Sequence, residues 1–200
     1  MGNKNNKKLE KTEKTNEKEE IDIIQNIKNE YKVIFLGEAG VGAKTNLIRR
    51  LMGEKFDEHS VATVISQIVK RHFPLKNNGE IVLEFRDTVG QEKFRTLNVD
   101  FYLKKIENDC IVLGYRIDNF NSFKEIKEYW YPKIKELNAC KLIYLVGNAK
   151  DLESDRRVSK EEAMKYAEEE GLRFFEISCK TDEGINEFID DLVHNIVNQQ

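Results

Sequence analysis

The chain has 200 residues, 40% of them apolar and 34% charged, with a net charge of −3. That is enough for one well-packed domain, with no basic bias that would direct it to nucleic acid or anionic lipid. No apolar run approaches the roughly 18 residues of a membrane span, the start lacks a signal-peptide core, and Cys110, Cys140 and Cys179 have neither paired nor metal-ligand spacing, so a cytoplasmic protein with reduced thiols is expected.

Residues 1–28 begin with "MGNKNNKKLEKTEKTNEKEE", which offers almost nothing apolar apart from Met1 and Leu9 and predicts a flexible polar tail. Residues 21–29, "IDIIQNIKN", read as a short amphipathic lead-in. A folded domain is expected over 29–200. Strand-like runs follow at 31–36, 64–73, 81–86, 110–115, 141–147 and 173–178. The second and third are joined by "LKNNG", whose Asn78-Gly79 pair suits an antiparallel hairpin. The remaining connections are helix-sized, as parallel pairing requires. In "FNSFKEIKEYWYPKIKEL" the spacing is helical, and Pro132 should kink the helix or end its first part. Ser159 and Glu162 form a capping-box pattern, and Gly171 falls just past a helix end. Ile185, Phe188, Ile189, Leu192, Val193, Ile196 and Val197 make one apolar stripe on the last helix, as core packing requires. The pattern is α/β: a six-stranded, mostly parallel sheet with one antiparallel hairpin strand and helices on both faces.

Ligands of such sheets bind at the carboxyl ends of strands. There the first strand runs into "GEAGVGAKTN", a glycine-rich loop opening a helix, which suits an anion because backbone N–H groups converge on an electropositive helix start. A lysine after the last glycine meets terminal phosphates, and the next hydroxyl can hold Mg²⁺. Gly37, Gly40, Val41, Gly42, Lys44 and Thr45 supply these parts, with Ala43 as one residue too many. If nothing is inserted, Ala43 takes the lysine place and both functions are lost. If Ala43 is an insertion, Lys44 and Thr45 keep their roles, and the family resemblance given below implies a Lys44-to-Phe56 spacing that agrees with this second alignment.

Further motifs follow: "FDEHSVAT" with Phe56 and Thr63, "FRDTVGQEKFRTL" with Asp87, Gly90 and Gln91, "VGNAKDL" with Asn148, Lys150 and Asp151, and "EISCKT" with Ser178, Cys179 and Lys180. Together with the loop they resemble the Ras superfamily of small GTPases, in particular its Rab branch, across residues 31–197. The resemblance implies a P-loop small G domain that binds GTP and GDP with Mg²⁺ and hydrolyses GTP slowly. It implies that Phe56 packs on guanine, that Thr45, Thr63 and, through water, Asp87 attend the metal, and that the Gly90 N–H meets the γ-phosphate. Gln91 is the implied catalytic residue, orienting the attacking water in a phosphoryl transfer that needs positioning more than covalent help. Asp151 would read the guanine edge, the backbone after Ser178 would meet its carbonyl, and Lys180 would flank the base. An exchange factor, a GTPase-activating protein and effectors would engage residues 56–68 and 86–103, and a monomer without nucleic-acid contacts is expected.

Three positions and one segment depart from the family pattern besides Ala43. Ala149 replaces a lysine whose stem covers the base and ties back to the phosphate loop, Val89 replaces a smaller residue, Arg86 stands where a tryptophan commonly meets effectors, and "TVISQI" departs after Thr63. Two functions therefore stay open: a GTPase switch in vesicle trafficking, or a pseudo-GTPase scaffold with impaired nucleotide binding. The end "HNIVNQQ" carries no prenylation cysteine. Gly2 is a candidate myristoylation site, with Lys4, Lys7 and Lys8 as a basic supplement, although Asn6 stands where the motif wants Ser or Thr. The alternatives are reversible peripheral attachment to an intracellular membrane and a solvated tail.

Overall fold

The computed structural model describes residues 28–37, 43–58, 67–75, 79–88, 103–104 and 107–199. Its centre is β1 (Glu30–Leu36), whose residues from Val33 to Leu36 are all buried, as expected of a strand covered on both faces. β1 pairs in parallel with β3 (Glu80–Asp87) on one side and β4 (Cys110–Arg116) on the other. β5 (Ile143–Asn148) and β6 (Arg173–Glu176) continue the parallel sheet beyond β4. β2 (Gln67–Pro74) forms the opposite margin, antiparallel to β3, giving the order β2-β3-β1-β4-β5-β6. The hairpin closes with the Leu75 N–H donating to the Gly79 carbonyl at 2.9 Å, while Asn78 lies outside the described residues.

Alternation along the strands divides the interior into two cores. Tyr31, Val33 and Phe35 face α1 (Ala43–Leu51) and α5 (Ile185–Val197), meeting Leu47, Ile48, Leu51, Phe188 and Leu192. The apolar stripe on the last helix is thus core packing: Ile185, Phe188, Leu192 and Ile196 are buried, and Ile189, Val193 and Val197 pack partly buried beside them. On the other face Ile34, Leu36, Leu113 and Tyr115 meet α2 (Phe120–Glu125), α3 (Tyr131–Leu137) and α4 (Lys160–Glu170). Phe123 is fully buried here, with its ring centroid 5.1 Å from Tyr115 and 5.8 Å from Tyr166.

Pro132 neither ends the helix nor bends it freely. Residues Ile126–Trp130 form a π-turn between α2 and α3, with the Tyr131 N–H bonded to the Ile126 carbonyl. Widening by one residue accommodates a ring that cannot donate and would clash one turn earlier. The Ser159 hydroxyl accepts from the Glu162 N–H at 3.0 Å and Gly171 closes α4 in the left-handed region, as their spacing predicts. β6 is shorter than the apolar run suggests: it ends at Glu176 because Ser178 turns its N–H to the Glu183 carbonyl at 2.9 Å.

Strand order reverses at β1, so the crevice expected of such sheets opens where β1 ends. Gly37 ends it at φ 145°, and a Cβ built there would lie 2.3 Å from the Gly114 carbonyl oxygen. Only glycine permits this approach of β1 to β4.

Candidate nucleotide-binding site

At the end of β1 the first turn of α1 presents an ammonium and a hydroxyl side by side. Lys44 is buried (6% exposed), and its Nζ donates to the Gly37 carbonyl at 2.8 Å. Thr45 Oγ1 donates to Asp87 Oδ2, at the end of β3, at 2.8 Å. Thr88 Oγ1 donates to the Phe35 carbonyl at 2.7 Å, tying that end of β3 to β1. Lys44 therefore supplies the cation and Thr45 the hydroxyl at this strand end. A hydroxyl and a carboxylate are hard oxygen donors suited to Mg²⁺, which keeps several waters and needs only one or two protein oxygens beside substrate phosphates. Among the described residues there is no cluster of three or more His, Cys, Asp or Glu arranged for a metal.

The neighbouring strand ends carry a second constellation. Asn148, the last residue of β5, is 5% exposed, and its Oδ1 accepts the Cys179 N–H at 3.0 Å. Ser178 Oγ donates to Asp151 Oδ1 at 2.5 Å and accepts the Thr181 N–H at 3.1 Å. The Asp151 carboxylate is thus oriented by a serine 27 residues away, on the loop after β6. The Cys179 contribution is its backbone: burial raises the thiol pKa to about 12, so the sulfur stays protonated.

Between Asn148 and Asp151 the backbone is unusual. Ala149 sits at φ 68°, ψ 35°, a left-handed conformation that costs a non-glycine residue about 1–2 kcal/mol. Lys150, the nearest candidate to replace the missing lysine, is held elsewhere. Its N–H donates to the Ile177 carbonyl at 3.1 Å and its Nζ to Glu183 Oε1 at 2.5 Å. The ammonium thereby lines a charged cleft of about 460 Å³ with Arg156 and Glu176.

Phe56 is half-buried against the core that contains α1. Its segment is clamped by Asn46, whose Nδ2 donates to the Asp57 carbonyl at 3.2 Å while its Oδ1 accepts the Asp57 N–H at 3.1 Å. Arg49 adds an ion pair to Asp57 at 3.3 Å. Glu58 meets Lys180 at 3.2 Å, which brings the Phe56 segment against the loop of Ser178 and Cys179. The sequence reading missed Asn46 and also Arg50, whose guanidinium reaches the same loop. The only available signal was their spacing: they lie four apart on α1, flanking the buried Leu47 and Leu51.

Gly40, Val41, Gly42, Thr63, Val89, Gly90 and Gln91 lie outside the described residues, as does most of the partner-binding surface expected over 56–68 and 86–103. Arg86 is described and buried. Its Nε donates to Glu84 Oε1 at 2.6 Å, and Glu84 also pairs with Lys70 at 3.2 Å. The residue at the aromatic effector position is thus committed to an ion network between β2 and β3.

Residues 32–198 match the model of the Ras family. The chain is 35% identical over 169 residues to the Ras-related protein Rab-13 of Canis lupus familiaris, spanning 84% of this chain and 80% of that protein. It is 32% identical over 168 residues to the Ras-related protein Rab-2B of Dictyostelium discoideum, with the same shares covered. To the GTP-binding protein ypt5 of Schizosaccharomyces pombe it is 34% identical over 157 residues, 78% of this chain and 72% of that protein. Parallel order, strand-end constellations and these likenesses agree, and the chain belongs to the Ras family of small GTPases, with a Rab-like sequence.

Proposed function

We propose that the protein is a guanine-nucleotide switch that binds GTP and GDP with Mg²⁺, hydrolyses GTP slowly and recruits partners in vesicle trafficking. The observation that carries this reading is the pairing of two adjacent constellations: Lys44 and Thr45–Asp87 at one group of strand ends, and Asp151 held by Ser178 beside Asn148–Cys179 at the next. Lys44 replaces its Gly37 contact, or shares it, with terminal phosphate oxygens. Thr45 directly and Asp87 through water would hold Mg²⁺, with Thr63 as the further expected ligand. Bound Mg²⁺ neutralises charge on the phosphates. Asp151 accepts paired hydrogen bonds from guanine, which adenine cannot donate, and Phe56 and Lys180 flank the base. Gly40, Val41, Gly42 and Gly90 contribute backbone N–H groups, and Gln91 orients water for hydrolysis. The geometry of Lys44 and Thr45 supports Ala43 as an insertion rather than as the occupant of the lysine position. Exchange factor, activating protein and effectors engage the monomer through residues 56–68 and 86–103. The folded domain spans 29–200, and the polar tail 1–28 provides any reversible membrane contact.

A pseudo-GTPase scaffold with impaired nucleotide binding is the second reading, and Ala149 favours it. In place of a long stem it leaves a methyl group at a buried left-handed position. Thermal unfolding with and without GDP and Mg²⁺ separates the two. Ligand at a hundred times its Kd stabilises by about 2.7 kcal/mol, an increase of roughly 5–11 °C for a domain of this size. A midpoint insensitive to GDP, GTP and EDTA would establish the scaffold. In a binding protein, Asp151→Asn should lose guanine preference selectively. Preference unchanged by that substitution would remove Asp151 from the base site.

A further inference from the structure

α1 carries the residues assigned to phosphate, whereas the loop after β6 carries Ser178, which orients the base-reading Asp151, and Lys180, assigned to flank the base; the two are more than a hundred residues apart in sequence. Arg50 joins them. From the last turn of α1 its Nε donates to the Cys179 carbonyl at 2.6 Å and its Nη2 to the Lys180 carbonyl at 3.1 Å. Nη1 donates to the Glu54 carbonyl at 3.3 Å, and Asp182 lies 3.5 Å from Nε. The side chain is 15% exposed; its bond to the Cys179 carbonyl is partly buried, while those to Lys180 and Glu54 face solvent. A planar fork with fixed donors can fix two consecutive carbonyls at once, which one rotating ammonium cannot.

The consequence follows along the backbone. Fixing the carbonyls of Cys179 and Lys180 sets the 179–180 and 180–181 peptide planes, which directly follow the peptide whose Cys179 N–H donates to Asn148. One residue earlier, Ser178 orients Asp151. Across the site, Ala149 has no side chain long enough to make a second tie from the base motif to the phosphate loop. Resting on the guanine-site reading above, we propose that Arg50 is a positioning residue for base recognition: it couples the phosphate-binding helix to the loop that aims Asp151, and thereby sets guanine selectivity.

The test measures dissociation rates and affinities of GDP and inosine diphosphate for the full chain and for Arg50→Met and Arg50→Lys. The two nucleotides have identical phosphates, but inosine diphosphate lacks the exocyclic amine that Asp151 reads. Arg50→Met should release GDP about tenfold faster and reduce the GDP-over-inosine-diphosphate preference at least fivefold, with inosine diphosphate affinity changed less than threefold. Arg50→Lys retains the stem and one donor, keeps the fold if the methionine variant does not, and should fall between. A loosened core would weaken both nucleotides equally. Equal weakening, or a base preference unchanged in both folded variants, overturns the positioning role while leaving nucleotide binding intact. Failure of the unmodified chain to bind GDP overturns the guanine-site reading itself and this role with it.

Discussion

Deleting Ala43 tests how the phosphate loop accommodates its extra residue. Two responses are open to the chain: α1 slips by one position, or the segment between Gly37 and Lys44 shortens. A one-residue slip rotates every α1 side chain by about 100°. Leu47, Ile48 and Leu51, at 1%, 6% and 0% exposure, would leave the core. At 1.5–3 kcal/mol for each side chain the cost is about 5–9 kcal/mol, comparable to the whole stability of a domain. Asn46 and Arg50 would also lose Asp57 and the Cys179 carbonyl. Helix register therefore holds, and residues 38–42 take up the loss of one residue's reach, about 3.5 Å. The expected outcome is a thermal midpoint within about 3 °C of the parent and, because Lys44 and Thr45 keep their partners, a GDP Kd within about threefold. Displacement of a fluorescent GDP analogue and thermal unfolding read both, with Lys44→Ala as the control that loses binding. A stable deletion protein whose GDP Kd rises more than tenfold would refute this reasoning, since Ala43 would then be part of the site rather than an accommodated insertion.

Two stability predictions concern the core and the sheet margin. Phe123→Ala empties a fully buried ring position between Tyr115 and Tyr166, at a cost of about 3–5 kcal/mol, and should lower the unfolding midpoint by roughly 6–20 °C; a fall below about 3 °C contradicts the packing described. Asp191 on α5 accepts the Tyr144 hydroxyl at 2.8 Å and two Arg173 bonds at 2.7 Å each. Burial works to raise its pKa, but the Arg173 and Tyr144 bonds outweigh this and hold it below the usual carboxylate range. A carboxyl depressed in the folded state contributes stability in full above its unfolded pKa of about 3.9 and loses it as pH falls through the folded value. The midpoint gap between parent and Asp191→Asn should therefore be full at pH 6 and shrink below pH 4. A gap as large at pH 3 would show that charge is not the source.

What was legible in the sequence divides by the range of the forces involved. Hairpin pairing, the Ser159 cap and the Gly171 stop depend on neighbours a few residues away, and the pattern of side chains encodes them directly. The positions of Lys44, Asn148, Asp151 and Ser178 at strand ends followed from short motifs. Pro132 announced a disturbance, but whether it kinks, ends or widens a helix depends on what packs against that helix, here Trp130 and Tyr131 in a filled core. Least legible were the contacts joining distant segments. Nothing local to "IRRL" says that Arg50 will find two carbonyls 129 and 130 residues later. Likewise Lys150 reads as the neighbour of a missing lysine, and its capture by Glu183 emerges only when the loop after β6 returns.

Gly37 carries a consequence for how this protein can vary. Its carbonyl receives the Lys44 ammonium, and the space where its side chain would be is occupied by the Gly114 carbonyl oxygen. Any larger residue must push the end of β1 away from β4, and the lysine's resting acceptor moves with it. Saturation mutagenesis would thus score position 37 among the most intolerant in the chain, although it has no side chain to offer a ligand.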